Sequence, residues 1–353
     1  MTELVRLRAR TRMIWSGDTL LMQLGTRNLR LAGFDEPQVP ALHELSSGAP
    51  ADRVRESPWM AALLDGGFLE AVAPPSDDPD LARFDRLLNY LSELESDTVS
   101  RFDLLARLRG SSVLLVGLGG MASWVAYNLL CCGIGNFTLV DGDTVEASNL
   151  NRSILYTEQD IGRPKVLAAA HRMREFAPRT EIRPVRTYVG GPEDLRELAE
   201  QSDLVLGLAD QPPWRIKEWV AAVGLATGTP FVQASGGRVG PFHTRPGTAC
   251  TICDWTRQIE REPRYGELLR RQSLLPRGNS GALSPVGSIT SGIVCLEVVR
   301  YLLGMEPTTA DRIWEFRGDL SSGYQECPPH PRCGLCGSAE QRAATPSESL
   351  AQR

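Results

Sequence analysis

The chain has 353 residues, which is long enough for a catalytic domain and a smaller accessory domain. With 42% hydrophobic residues, 23% charged residues and a net charge of −5, it offers no electrostatic reason to bind nucleic acid or an anionic membrane. The N-terminus lacks a secretory apolar segment, and no run reaches about 18 uncharged apolar residues. We therefore expect a cytoplasmic protein without a nucleic-acid or membrane partner.

The first 80 residues predict a small α+β module. Alternating segments ("LVRLRARTRMIW", "TLLMQLG", "NLRLAG") come first, and the helix-like segments "ALHELSSG" and "WMAALLDGGFLEAV" follow. Period-2 alternation indicates strands, and the later period indicates helices, with a winged helix as a candidate arrangement. The proline-rich acidic stretch "APPSDDPD", residues 73–80, predicts an exposed linker and a domain boundary near residue 80.

From about residue 110 the pattern changes to alternating strands and helices. The apolar strands "SVLLVG", "NFTLVD", "DLVLGLAD" and "PFVQAS" are separated by helical segments. Continuous apolar strands of this kind predict a doubly wound, mostly parallel, Rossmann-like sheet, here over residues 81–337. The small polar residues 338–353 are expected to be disordered.

A glycine-rich loop lies where the first of these strands meets its helix. Gly117, Gly119 and Gly120 would let a phosphate approach the backbone N–H groups at the helix N-terminus. With Ala122 in the last position the spacing fits a dinucleotide fingerprint, and Asp141 follows where a carboxylate can bond ribose. On the glycines alone, a dehydrogenase and an ATP site are about equally supported, and a purely structural turn is the third possibility.

The next thirty residues favour ATP. The segment "VDGDTVEASNLNRSILYTEQDIGRPK" brings Asp143, Asn149, Arg152 and Lys165 into one connection. Two cations beside a glycine loop suit a triphosphate whose charge rises during nucleotidyl transfer, whereas hydride transfer does not need them. Either cation alone would instead be read as the start of a solvated helix.

Residues 82–337 resemble the ubiquitin-activating-like (ThiF/MoeB/HesA) adenylating family, and "SNLNR" followed by "DIGRPK" carries most of that resemblance. The layout is closest to peptide-modifying members, of the microcin-adenylating or azoline-cyclodehydratase-associated type. The resemblance implies that the glycines hold ATP, that Asp141 binds ribose, and that Arg152 and Lys165 contact phosphates. It also implies that Asp210 binds Mg²⁺.

Asp210 has an independent argument, because it follows an apolar strand at the sheet edge where ligands bind and could hold Mg²⁺ through one carboxylate oxygen. The alternative is an N-cap of the next helix. The sequence departs from the family by continuing with Gln211, Pro212 and Pro213.

The segment "ARFDRLLNYL" resembles the family helix that lends an arginine to the partner's ATP in a homodimer. Arg86 is the better match and Arg83 the second. Without the resemblance, this segment is a basic amphipathic surface helix.

Four cysteines form two C-x-x-C pairs, Cys250 with Cys253 and Cys333 with Cys336. Each pair supplies two thiolates on a tight turn, as zinc prefers, and the family holds a structural zinc in the same places. The alternative is four reduced thiols without metal. The crossover-loop segment 256–283 contains no cysteine, so a covalent thioester step is not expected.

The resemblance implies ATP-dependent adenylation of a carboxylate, giving an acyl adenylate and pyrophosphate. Because sulfur-carrier activators generally lack the N-terminal module, we expect a precursor peptide as acceptor, in the biosynthesis of a ribosomally made modified peptide. The strands of the module could receive a leader peptide by β-augmentation, or the module could serve only packing or dimerisation. Two alternatives remain: a non-catalytic leader-binding partner of a cyclodehydratase, and activation of a small sulfur-carrier protein.

Overall fold

A computed structural model describes residues 3–72, 78, 80–96, 98–272 and 281–337. Most of the predicted linker, residues 73–77 and 79, and the predicted disordered tail, 338–353, lie outside the described residues. The chain divides into two compact units, Met1–Leu105 and Ala106–Arg353. The predicted domain boundary near residue 80 stays a prediction.

The first unit combines short strands and short helices, as an α+β module does. Its elements are β1 (Leu4–Leu7), β2 (Arg12–Ser16), β3 (Thr19–Leu24), β4 (Arg27–Ala32), α1 (Val39–Ser47), β5 (Ala49–Pro50), α2 (Ala51–Glu56), α3 (Pro58–Asp65), β6 (Leu69–Ala71) and α4 (Asp85–Leu91). Helix α5 (Arg101–Gly110) crosses the division between the units.

The strands of the first unit form two antiparallel sheets, in the orders β5-β1-β6 and β2-β3-β4. Leu20, Met22 and Leu31 from the second sheet join Val5 and Phe68 in one buried core. Nearly all of the stabilisation of so small a module must come from such apolar burial, at about 25 cal/mol per Å².

Two predicted elements of this unit are divided in the structure. The alternating segment 4–15 is two strands, because Arg10 at φ +68° turns the chain between them. The apolar segment 59–72 is not one helix: α3 ends at Asp65, the chain turns at Gly67 with φ +72°, and β6 pairs with β1.

The second unit alternates strands and helices. Its elements are β7 (Ser112–Val116), α6 (Gly120–Cys131), β8 (Asn136–Val140), α7 (Lys165–Phe176), β9 (Glu181–Val185), α8 (Glu193–Glu200), β10 (Leu204–Gly207), α9 (Arg215–Thr227), β11 (Phe231–Ser235), β12 (Arg238–Val239), α10 (Thr251–Arg261), α11 (Pro263–Gln272), α12 (Ser284–Leu302), β13 (Arg312–Phe316) and β14 (Ser322–Glu326).

One sheet organises this unit, in the order β14-β13-β12-β11-β10-β7-β8-β9. The five strands from β9 to β11 are parallel, and β12 to β14 extend the sheet in antiparallel fashion. The predicted doubly wound, mostly parallel sheet is confirmed. Its strand order reverses between β7 and β10, which is where doubly wound folds bind ligands.

Helix α12 is long and apolar enough, by length and composition, to cross a membrane. Its contacts are those of a helix packed within a protein unit. The buried Glu297 accepts hydrogen bonds from the backbone and hydroxyl of Thr309, and the Ser291 hydroxyl donates to the carbonyl of Met121.

Candidate functional site

The glycine loop lies at the point where the strand order reverses. Gly117 follows β7 with φ +94°, and a Cβ there would lie 2.6 Å from the backbone of Ala209, which follows β10. The Gly117 N–H donates to the carbonyl of Val140 at the end of β8. Only glycine satisfies both the backbone angle and the space at this crossing of three strand ends.

The other two glycines begin α6. Gly119 is the N-cap of this helix, and Gly120 is its first residue. A Cβ on Gly119 would meet nothing within 4 Å, whereas one on Gly120 would lie 2.6 Å from Cγ of Arg152. The helix start therefore has open space in front of its free N–H groups, and this arrangement suits an anion.

Asp141, the predicted ribose ligand, is held by two backbone groups. Its Oδ2 accepts from the N–H of Leu118 at 2.7 Å, and its Oδ1 accepts from the N–H of Asp143 at 2.8 Å. The hydroxyl of Tyr156 donates to the Leu118 carbonyl, and burial followed by the charge of Asp141 raises the pKa of that phenol well above its usual value. Asp141 is thus fixed against the glycine loop, with further lone pairs for hydroxyl donors.

Lys165 and Asp143 form an ion pair of 2.9 Å between Nζ and Oδ2. Lys165 is the first residue of α7 and is buried, whereas Asp143 is half exposed. The ring of Tyr188 lies against Gly142, and the charge of Asp143 is the main cause that raises the pKa of this exposed tyrosine. Lys165 is therefore directed towards the loop that follows Asp141.

Arg152 and Asn149 differ in how they are held. Asn149 caps the short turn 147–149 by accepting the N–H of Glu146 at 3.1 Å, so its side chain already serves the loop. The Arg152 guanidinium donates to the carbonyl of Ser148 and to Oδ1 of Asn151. Its aliphatic stem covers Gly120, which places the arginine beside the start of α6.

Asp210 lies three residues beyond β10, and its side chain is exposed. Helix α9 begins only at Arg215, with Trp214 as its N-cap, so the alternative of Asp210 as the N-cap is wrong. Ala209 touches Gly117, so Asp210 is one residue away from the glycine loop along the chain. The structure thus brings five predicted groups to one sheet edge: the glycine loop, Asp141, Arg152, Lys165 and Asp210.

The structure adds charged groups near Asp210 that the sequence reasoning missed. Lys217 in α9 donates to Oγ of Ser235 at the end of β11, and Arg238 lies 3.4 Å from Asp254. Burial, followed by the charges of Arg238, Asp210 and Asp254, lowers the pKa of Lys217 to about 8. No motif announces Lys217, because an isolated lysine in an amphipathic helix is ordinary.

Arg86, the predicted arginine finger, belongs to the first unit. It lies in α4 with a 96% exposed side chain, 4.0 Å from Asp85. Arg83 lies just before α4, in the turn 81–84. The contribution of either arginine to a partner's nucleotide stays a prediction.

The four predicted cysteines converge although the two pairs are far apart in sequence. Their sulfur atoms all lie within 4.8 Å of one another, with 3.6 Å between Cys250 and Cys333 and 3.2 Å between Cys253 and Cys336. Four thiolates around zinc at about 2.3 Å would be separated by about 3.8 Å. Hydrogen bonds from Cys250 and other thiols lower the pKa of Cys253 to about 7, and thiolate is the form that a metal needs.

The groups around this cluster support its geometry. The backbone N–H of His330 donates to Sγ of Cys253, and the His330 ring contacts Glu260 at 3.2 Å. Cys327 stays outside the cluster; its sulfur accepts from Arg257, and burial raises its pKa to about 12. The cluster can hold one metal ion with four sulfur ligands.

A doubly wound sheet with a glycine loop, an acidic ribose position, two cations and a further acid at its switch point defines a nucleotide-binding α/β enzyme. The ThiF family model matches residues 90–337, and the chain belongs to the ThiF family. It is an adenylyltransferase of the ThiF type, and ATP is its nucleotide.

Two curated relatives and one solved structure give the range of similarity. The molybdopterin-synthase adenylyltransferase of Escherichia coli is 28% identical over 242 residues, covering 67% of this chain and 91% of its own length. The sulfur carrier protein adenylyltransferase of Thermus thermophilus is 30% identical over 241 residues, covering 65% and 84%. The structure of E. coli MccB with ATP is 17% identical, with a TM-score of 0.73, and covers 95% of this chain and all of MccB.

Proposed function

We propose that this adenylyltransferase activates a carboxylate of a precursor peptide in the biosynthesis of a ribosomally made modified peptide. The observation that carries the proposal is the extent of the structural match. MccB covers 95% of this chain, whereas the carrier-protein relatives cover about two thirds of it. MccB has been solved with the peptide MccA, so the fold that includes an N-terminal module is one that handles a peptide.

The proposed roles follow the positions of the residues. Gly117, Gly119 and Gly120 admit the phosphates to the start of α6, and Asp141 binds ribose. Asp143 and Asn149 shape the connection beside the nucleotide. Arg152 and Lys165 stabilise the charge that develops on the α-phosphate, a task for which fixed cations suffice. A carboxylate is already ionised, so the reaction needs no general base.

Asp210 is the residue that we assign to Mg²⁺. It is exposed at the switch point, and one carboxylate oxygen with phosphate oxygens and waters is the usual set for this ion. The metal supplies charge neutralisation at the phosphates when it is bound.

The test is pyrophosphate exchange into ATP with candidate precursor peptides, comparing the wild type with Asp210→Asn. We expect the exchange rate to fall by at least about 100-fold, because a fixed charge on the transition state is removed. Asp319→Asn is the matched control, since Asp319 is bonded only to Ser321 among the described residues. Tight peptide binding without any exchange in the wild type would instead support the non-catalytic leader-binding partner.

The first unit is proposed to bind the leader of this peptide. In the described residues, β2 pairs only with β3, and all five of its residues are exposed, including Met13, Ile14 and Trp15. An open strand edge with apolar side chains can receive an extended peptide through backbone hydrogen bonds.

Three further assignments complete the proposal. The four-cysteine cluster holds one structural Zn²⁺, for which four sulfur ligands are typical. The enzyme acts in the cytoplasm, where such thiols stay reduced. It works as a homodimer in which Arg86 reaches the partner's nucleotide. Activation of a small sulfur-carrier protein is the second candidate, because the curated relatives carry names of that kind.

A further inference from the structure

Lys217 is a lysine with an incompletely used ammonium group in the interior of the second unit. Its Nζ donates to Oγ of Ser235 at 2.5 Å, and its backbone carbonyl accepts from Nε2 of Gln233 at 2.8 Å. Among the described residues, no carboxylate lies within 4.0 Å of Nζ and no second protein acceptor bonds to it. An ammonium has three N–H groups, so two remain available.

The surroundings of Lys217 make this lack of a counterion costly. Burial lowers its pKa, and the neighbouring charge of Arg238 lowers it further, whereas Asp210 and Asp254 offset part of the effect. Arg238 itself is compensated, since it lies 3.4 Å from Asp254 and 3.2 Å from Glu315. Lys217 is therefore the cation of this group that would gain most from an incoming anion.

Lys217 also lies at the correct edge of the sheet. Ser235 ends β11, and Asp210 follows β10, which is the parallel neighbour of β11. Both strands therefore present their carboxyl ends on one side, next to the glycine loop that Ala209 contacts. Lys217 and Ser235 are both only partly buried, so a ligand at this edge can reach them.

We propose that Lys217, together with Ser235, binds the acceptor carboxylate that is adenylated, so that the enzyme selects a free carboxylate over the corresponding amide. This inference rests on the proposed function. One carboxylate oxygen attacks the α-phosphorus of ATP, and the bond from that phosphorus to the bridging oxygen of the β-phosphate breaks. Pyrophosphate leaves with the electron pair. Lys217 stays protonated and donates to the oxygen that does not attack.

Charge supports this role. A carboxylate that approaches the triphosphate and Asp210 meets negative charge, and like charges close together are unfavourable. A fixed ammonium at the point of approach lowers this repulsion and orients the nucleophile at the same time. An amide would gain only a neutral hydrogen bond there, which is about half as strong.

The first test needs no knowledge of the natural acceptor and no catalysis. Labelling of Lys217 by an amine-reactive reagent at pH 8 is followed by mass spectrometry, with N-acetylglycine or N-acetylglycinamide as probe, in the absence and presence of ATP. We expect the acid to slow labelling of Lys217 at least fivefold, and the amide to leave the labelling rate unchanged. Equal labelling rates with acid and amide would overturn the proposal.

The second test measures selection. A decapeptide library with free C-terminal carboxylates is compared with its amidated form in pyrophosphate exchange, using wild type, Lys217→Met and Lys217→Arg. We expect Lys217→Met to raise the KM for the carboxylate library at least 30-fold and to leave the Kd for ATP within twofold. Lys217→Arg should recover most of the loss. Unchanged exchange in Lys217→Met, or an equal loss of ATP affinity, would contradict a role in acceptor binding.

The two proposals can fail separately. If the wild type gives no exchange with any peptide, the proposed function fails, and the labelling of Lys217 still decides whether a carboxylate binds there. If exchange is robust and Lys217→Met matches the wild type, only the role of Lys217 fails.

Discussion

Two glycines of one loop are constrained in different ways. Gly117 has φ +94° and touches the backbone of Ala209, so a side chain meets both strain and a clash. Gly119 has φ −72° and open space around its Cα, so a methyl group fits there. The first glycine is required by the fold, whereas the second is available to a ligand.

Gly117→Ala is expected to lower the free energy of unfolding by more than about 2 kcal/mol, because it combines an unfavourable φ with overlap against backbone. Gly119→Ala should change it by less than about 1 kcal/mol. Urea unfolding of both variants measures the difference. Equal destabilisation would show that the fold does not depend on the Gly117 contact.

The acid stability of the first unit depends on the buried Arg101, which bonds to Glu70 and Glu95. Burial raises the pKa of Glu95, but the hydrogen bonds and charge of Arg101 outweigh it, and the pKa is lowered overall. Because the folded pKa lies below the unfolded one, Glu95 contributes stability above pH of about 4.5 and loses it as the pH falls through the folded value.

Glu95→Gln is therefore expected to make unfolding less dependent on pH between about 5 and 3, as well as to destabilise the protein at pH 7. Glu193→Gln is the control, since the pKa of Glu193 is also lowered, by Arg196, but both groups are fully exposed. Urea unfolding across this pH range would contradict the assignment if both variants kept the acid dependence of the wild type.

At the scale of elements, the two units differ in how far the sequence predicts them. The strands β7, β8, β10 and β11 were all predicted, because strands buried on both faces form continuous apolar runs. In the first unit, the turn at Gly66 and Gly67 lies inside one apolar run, and so α3 and β6 were merged. Helix α2, which is short and polar, was missed altogether.

Strand β2 gives a prediction at this scale. Ile14 is 64% exposed, so Ile14→Lys is expected to leave the fold intact and to weaken leader-peptide binding at least fivefold by placing a hydrated charge on the docking edge. Leu268→Lys, at a 59% exposed position of the second unit, is the matched control. Isothermal titration with the precursor peptide measures both. Equal affinities would favour a packing or dimerisation role for the module.

At the scale of the whole molecule, the nucleotide site is predictable because its motifs are local. Gly117, Asp141, Arg152 and Lys165 lie within about fifty residues and follow the family pattern. Lys217 and Ser235 could not be paired from sequence, because the distance between them depends on how α9 packs on the sheet and on where β11 ends. The resemblance, rather than spacing alone, joined cysteine pairs 83 residues apart.

Removal of zinc is the prediction for the whole chain. Cys336→Ser is expected to reduce bound zinc from about one equivalent to well below one and to lower the melting temperature by about 10 °C, because metal binding contributes directly to folding. Cys131→Ser, which changes an exposed thiol of α6, should have neither effect. Metal analysis with calorimetry would contradict the site if the wild type carried no zinc.

The separation of the two cysteine pairs also has a consequence for how the protein is made. A metal bound by Cys250 and Cys333 closes a loop of 83 residues, which contains α10, α12, β13 and β14. Contacts of such long range form late in folding. During translation, the strands β7 to β11 can assemble while the first two thiolates still wait for the second pair, and zinc capture then marks the last step of folding.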